Sequence, residues 1–126
     1  MAKTVFIIDD SSTVLMSVES ILTRLGFTVE KARDGEEALS KLTAGLRPNL
    51  IITDINMPRM DGITFIGKAR TMASCRFTPI LVLTTEQEQQ KRNEARAKGA
   101  TGYLVKPVAA EQLKAVINQV LPGSIA

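Results

Sequence analysis

Asp9 and Asp10 stand directly behind the apolar run Val5-Phe6-Ile7-Ile8, and a second run, Leu50-Ile51-Ile52-Thr53, ends on Asp54. A strand that finishes on a carboxylate delivers it to the rim of its sheet, so two such strands can bring three acids to one point. A third run, Ile80-Leu81-Val82-Leu83, ends on Thr84-Thr85, and a fourth, Gly102-Tyr103-Leu104-Val105, ends on Lys106-Pro107. In a parallel sheet these tips share one edge, where open α/β folds bind ligands. Carboxylates about 5 Å apart repel by roughly 3 kcal/mol per pair at an effective dielectric near 20. Such a cluster persists when a cation compensates it or one acid stays protonated. All-oxygen ligation suits Mg²⁺ or Mn²⁺. Three acids, a hydroxyl and a lysine around a divalent ion point to phosphoryl chemistry. The plainer alternative makes Asp9 or Asp10 a helix N-cap and Asp54 a loop acid. The agreement of the four strand ends argues against it.

The elements that must position these groups alternate along the chain. Ser11 or Ser12 can cap a first helix that places Val14, Leu15, Val18, Ile21, Leu22 and Leu25 on one face, and Gly26 ends it. Residues 27–30 read as a short alternating strand. Asp34 caps a second helix buried through Ala38, Leu39 and Leu42, and Gly45 and Pro48 close it before the strand ending on Asp54. Asp61 caps a third helix with Ile63, Ile66, Ala69 and Arg70, and Gly35, Gly45 and Gly62 read as turn glycines. A fourth helix is expected over 87–98. Its first eight residues, Gln87-Glu88-Gln89-Gln90-Lys91-Arg92-Asn93-Glu94, are all polar, so its packing rests on Ala95 and Ala97. A helix held that lightly is expected to shift easily and to serve as a partner surface. A last amphipathic helix carries Leu113, Val116, Ile117 and Val120 and stops at Pro122. Five strand–helix units with right-handed crossovers make a parallel sheet covered by helices on both faces. Uncovered parallel strands are rare, which accounts for three near-continuous aliphatic runs.

The 126 residues are expected to form one domain, residues 1–126, that buries roughly two-thirds of its unfolded surface. The single cysteine, Cys75, excludes an internal disulfide and fits a reducing, cytoplasmic setting. No apolar stretch approaches the length of a membrane span, and Asp9-Asp10 cuts short any signal-peptide run. The absence of histidine excludes Ser-His-Asp and Cys-His catalysis and histidine-ligated zinc. Net charge is +3, but setting aside Asp9, Asp10, Asp54, Asp61 and Lys106 leaves 15 basic against 9 acidic groups. Lys91, Arg92, Arg96 and Lys98 lie on one helix, read as a solvated face, with docking of an acidic peptide as the alternative. One tyrosine and no tryptophan argue against nucleic-acid binding. Met16, Met57, Met60 and Met72 are assigned to core or loop packing, with Met57 near the pocket mouth.

With these residues in view, the chain resembles a bacterial response-regulator receiver domain of the CheY type across essentially its whole length. The matching positions are Asp9-Asp10, Asp54, Met57-Pro58-Arg59-Met60-Asp61-Gly62, Thr84, Tyr103 and Lys106-Pro107. The resemblance implies a (βα)5 flavodoxin-like sheet in the order 2-1-3-4-5 and a cis Lys106-Pro107 peptide. It implies that Asp54 is the phosphoacceptor, and that Asp9, Asp10, Asp54 and the backbone carbonyl of Asn56 hold Mg²⁺, with Mn²⁺ as a substitute. Lys106 and Thr84 would contact the phosphoryl oxygens. Thr84 and Tyr103 would form the switch that reshapes the fourth helix, fifth strand and fifth helix. Asn56 and Glu86 would tune dephosphorylation, a pairing similar to short-lived chemotaxis regulators. Thr85 departs from the small residue usual at its position, which bears on donor access.

The implied protein is a phosphoacceptor switch rather than a turnover enzyme, although it assists its own phosphorylation and dephosphorylation. A sensor histidine kinase would be the donor, and a phosphatase a further partner. A flagellar motor switch protein heads the expected targets, with a phosphorelay or phosphate-sink role beside it, and the chain is expected to be a monomer. An aspartyl-phosphate phosphatase usually has a second acid two residues after the nucleophile, where Asn56 stands here. A flavin- or nucleotide-binding module needs a phosphate-cradling loop, and Asp9-Asp10-Ser11-Ser12 puts negative charge there instead.

Overall fold

In the computed structural model, which describes residues 3–85 and 89–125, the apolar runs lie side by side as one parallel sheet. Its strands are β1 (Thr4–Ile8), β2 (Thr28–Ala32), β3 (Leu50–Thr53), β4 (Ile80–Thr84) and β5 (Gly102–Val105), in the order β2-β1-β3-β4-β5. Ile8 pairs with Thr53, so Asp9 and Asp54 leave neighbouring strands at the same level. Thr84 pairs with Val105, which sets Lys106 just beyond the next tip. Pairing continues past the strand ends through Asp54 N–H to the Ile8 carbonyl (3.0 Å) and Lys106 N–H to the Thr84 carbonyl (3.0 Å). The order expected from the family resemblance is the one observed, as is the cis Lys106-Pro107 peptide.

Alternation along the strands feeds two cores. Val5 and Ile7 of β1 and Leu81 and Leu83 of β4 face α1 (Ser12–Arg24) and α5 (Ala110–Val120), against Leu15, Leu22, Leu113 and Ile117. Phe6, Ile8, Ile51, Ile80 and Val82 face α2 (Gly35–Thr43), α3 (Gly62–Arg70) and α4 (Gln89–Lys98). Helices therefore cover both faces, as a parallel sheet requires. The helix starts follow the capping logic. Ser11 Oγ accepts from Val14 N–H, Asp34 Oδ1 from Glu37 N–H and Asp61 Oδ1 from Thr64 N–H. Gly26 and Gly45 follow α1 and α2 in left-handed conformations that favour glycine.

Several local expectations need correction. The second strand runs over Thr28–Ala32 rather than 27–30, because Phe27 turns into the core beneath α1. Ala95 of α4 is fully buried but Ala97 is exposed, so Ala100 beyond the helix packs against the core instead. Met16 is 70 % exposed on α1 rather than packed, whereas Met57, Met60 and Met72 lie against the α2–α3–α4 core. Gly35 and Gly62, read as turn glycines, are the first residues of α2 and α3. There they allow close approach of other chain segments. No helix among the described residues is long and apolar enough to cross a membrane.

Candidate functional site

The tips of β1 and β3 bring Asp9, Asp10 and Asp54 together, with one carboxylate oxygen from each within 4.8 Å of the others. Asp9 and Asp54 are buried, while Asp10 is exposed at the mouth. Lys106 reaches over from the end of β5 and bridges the two buried acids, with Nζ 2.5 Å from Asp9 Oδ2 and 2.9 Å from Asp54 Oδ2. The other oxygen of each acid is fixed by backbone: Asp54 Oδ1 accepts from Ile55 N–H at 2.6 Å, and Asp9 Oδ1 from Ser11 N–H at 3.0 Å. Burial pushes the Asp9 carboxyl above its ordinary range, the Lys106 hydrogen bond opposes this, and the neighbouring Asp54 charge adds to it. Burial alone would pull Lys106 down, but its hydrogen bonds to Asp9 and Asp54 outweigh that and hold the ammonium above its usual range. The lysine is therefore a permanent cation at neutral pH, offsetting part of the acids' repulsion.

Thr84 is fully buried at the tip of β4, one strand from Asp54. Thr85 is exposed and lines a groove of about 300 Å³ with Val14, Val18, Leu83, Pro107 and the Lys106 stem. Asn56 is exposed in the loop after Asp54. Glu86 lies outside the described residues. Asp61, counted with the edge acids from sequence, serves as the α3 cap and is not part of the triad. The donor set of three carboxylates is all-oxygen and open on the Asp10 side, which fits a divalent ion that keeps several waters.

Away from the triad, Tyr103 is half-buried on β5, with the Arg92 guanidinium of α4 stacked 4.3 Å from its ring centre. A groove of about 200 Å³ runs beside this pair, lined by Gln89, Arg92, Arg96, Thr101 and Tyr103. Arg92 and Arg96 of α4 thus border the same surface as the tyrosine, whereas Lys98 faces a groove beside α3.

Sequence reasoning assigned no role to Arg33 or Arg59, and the structure gives both a place next to the site. Arg33 Nη2 donates to the Asp10 carbonyl at 2.9 Å and Nη1 donates to Ser12 Oγ at 3.1 Å. Arg59 Nε donates to Asp34 Oδ2 at 2.8 Å, and its Nη2 donates to the same oxygen. Asp34 is 1 % exposed, and its carboxyl is held below the usual range by the Glu37 backbone N–H, against the opposing effect of burial and with help from Arg59. The one sequence signal was the placement of Arg33 beside a capping aspartate, which is too common to single out.

Acids paired on adjacent parallel strand tips, a lysine bridging them from the last strand, and the order 2-1-3-4-5 together define a receiver domain. The sequence matches the response regulator receiver domain over residues 5–118, and the chain belongs to that family. It is 36 % identical over 116 residues to the chemotaxis protein CheY1 of Helicobacter pylori, covering 91 % of this chain and 94 % of that protein. Against protein PilG of Pseudomonas aeruginosa it is 34 % identical over 119 residues, covering 94 % and 87 %. The solved structure of the chemotaxis response regulator CheY4 of Vibrio cholerae matches with a TM-score of 0.89 at 42 % identity, over 96 % of this chain and all of that one. The protein is thus a CheY-like response regulator of two-component signalling, with chemotaxis proteins among its relatives.

Proposed function

We propose that the chain acts as one receiver domain that takes a phosphoryl group onto Asp54 from a histidine kinase and signals through the α4, β5 and α5 surface. The observation that carries this reading is the Lys106 ammonium seated between Asp9 and Asp54, a cation held where a phosphoryl oxygen would need one. Asp54 is the nucleophile: its carboxylate oxygen forms the new bond to phosphorus as the donor's bond to phosphorus breaks. The donor is a phosphohistidine or a small acyl phosphate, and the departing group keeps the electron pair. Asp9, Asp10, Asp54 and the Asn56 carbonyl would hold Mg²⁺, which when bound supplies charge neutralisation of the acids and the transferring group. Lys106 exchanges a carboxylate partner for a phosphoryl oxygen, and the Thr84 hydroxyl donates to another.

Output follows from Thr84 moving toward the phosphoryl group and Tyr103 turning inward. Turning the ring breaks its stacking on Arg92 and so alters the face of α4. The added charge-assisted hydrogen bonds bias a two-state element. Asn56 and Glu86 set the lifetime of the acyl phosphate, and Thr85 narrows donor entry along its groove. Chemotaxis in the cytoplasm is the setting, and a flagellar motor switch protein is the target, consistent with CheY1 and CheY4 as relatives.

Intact-mass spectrometry after incubation with Mg²⁺ and acetyl phosphate tests the chemistry, since the chain has no tryptophan for a quenching readout. One added phosphoryl group that requires both Mg²⁺ and Asp54 is expected, and Asp54→Asn should remain unmodified. An adduct on Asp54→Asn, or none on the unaltered chain under rapid quenching with beryllofluoride binding also absent, would overturn the assignment.

Asp10→Ala separates repulsion from ligation. Metal-free Asp10→Ala is expected to melt about 3 °C above the unaltered chain, because one of three mutually repelling acids is gone. The further stabilisation by Mg²⁺ should be lost. Calorimetric melting with and without Mg²⁺ reads both, and a metal-free Asp10→Ala that melts well below the unaltered chain would contradict the converging-acid picture.

A further inference from the structure

The turn between β2 and α2 contains no ligand of the proposed Mg²⁺ site, yet its two central residues each hold one of the loops that do. Arg33 binds the Asp10 carbonyl and the Ser12 hydroxyl, fixing the loop after β1. Asp34 receives two donors of the Arg59 guanidinium on Oδ2, while Oδ1 caps α2, and so fixes the loop after β3. The Gly35 N–H donates to the Met60 carbonyl at 3.2 Å, a second tie between that turn and that loop.

Arg59 itself is unusual. Its backbone is left-handed, with φ 64°, a conformation that glycine or asparagine adopts more readily than arginine. Its side chain is 64 % exposed, so burial does not explain it. The explanation is its partner: a carboxylate that is buried, held by a helix N-terminus and kept ionised. An exposed ion pair between two mobile side chains contributes little, but here one partner is immobile, and the pair fixes where the middle of the loop sits. Asn56 lies three residues before Arg59, and Gly62, three residues after it, rests against the Asp54 carbonyl.

We propose that Arg33, Asp34 and Arg59 are positioning residues that set the spacing of the two acid-bearing loops for Mg²⁺ binding and phosphoryl transfer. This rests on the receiver chemistry proposed above. The test is calorimetric titration of the unaltered chain and variants with MgCl₂, paired with melting temperatures and the rate of labelling by acetyl phosphate. Asp34→Asn keeps a side-chain oxygen to cap α2 and removes only the charge. Arg59→Gly removes the guanidinium and relieves the backbone. Each is expected to weaken Mg²⁺ about tenfold, as loss of an outer-shell partner does, and to slow labelling by a similar factor. Their melting temperatures should stay within a few degrees of the unaltered chain.

The Asp34→Asn/Arg59→Gly double variant should be no weaker than either single, because both break one clamp. Arg33→Ala combined with Arg59→Gly should multiply the losses, because they release different loops. Unchanged Mg²⁺ affinity in the singles, or losses that follow melting temperature alone, would overturn the proposal. So would multiplication within the Asp34–Arg59 pair. An unaltered chain that neither binds Mg²⁺ nor accepts a phosphoryl group would instead overturn the receiver chemistry.

Discussion

Metal-free Lys106→Met is expected to melt about 10 °C below the unaltered chain, and saturating Mg²⁺ to recover most of the loss. The ammonium is the counter-ion of both buried acids, at 2.5 Å and 2.9 Å. Methionine fills a similar volume but leaves Asp9 and Asp54 facing each other uncompensated. Breaking a buried pair from one side costs about 3–5 kcal/mol; the lower end applies here because Asp10 opens the site to water. Asp9, already raised by burial, can take up a proton and limit the damage. The variant should also bind Mg²⁺ more tightly than the unaltered chain, because no side-chain cation competes for the same oxygens. On the proposed function, its phosphorylated form should fail to engage partners, because no ammonium is left to pair with the phosphoryl group. A metal-free melting temperature equal to that of the unaltered chain would show that the ion pairs contribute nothing to stability.

Gly62→Ala is the second large effect. A Cβ at Gly62 would lie 1.9 Å from the Asp54 carbonyl oxygen and 3.0 Å from Ile55 Cα, all backbone and none able to swing aside. The loop after Asp54 must move, at a net loss of about 2–3 kcal/mol even though alanine is the better helix former. Gly67 provides the control within the same helix. Its Cβ would meet only the Lys98 Cδ, at 3.4 Å, the far part of a flexible side chain. Gly67→Ala is therefore expected to stabilise by about 0.5–1 kcal/mol. Denaturant unfolding of the two variants should give opposite signs, and Gly62→Ala should in addition label poorly with acetyl phosphate. Equal behaviour would mean that helix propensity, not the contact with Asp54, governs both sites.

The strands and the acid triad were legible because each is a local pattern. A buried parallel strand needs a continuous apolar run, and Asp9, Asp54 and Lys106 stand where those runs stop. The caps were legible for the same reason, since Ser11, Asp34 and Asp61 act on N–H groups three residues away. Features that join distant segments were not legible. Arg59 meets Asp34 across 25 residues and Arg33 meets Asp10 across 23, and neither arginine differs in type from the solvated ones. The role of Gly62 depends on a neighbour's carbonyl, which no turn propensity reveals. Phe65 is fully buried in α3, yet it stands between Ile63 and Ile66, whose spacing already marks the buried face without it. Met16 shows the opposite case, an apolar residue on the solvent side of an otherwise regular face.

The placement of Lys106 also has a consequence for the order in which the sheet can become stable. Asp9 and Asp54 both precede their shared counter-ion in the chain, which lies 52 residues beyond Asp54. Pairing of β1 with β3 therefore sets Asp9 and Asp54 side by side before Lys106 can be placed opposite them. Docking of β5 brings the cation, so the last strand is drawn in by charge as well as by Leu104 burial. Truncation before β5 is therefore expected to cost more stability than the loss of its apolar contacts alone, because Asp9 and Asp54 would lose their shared counter-ion.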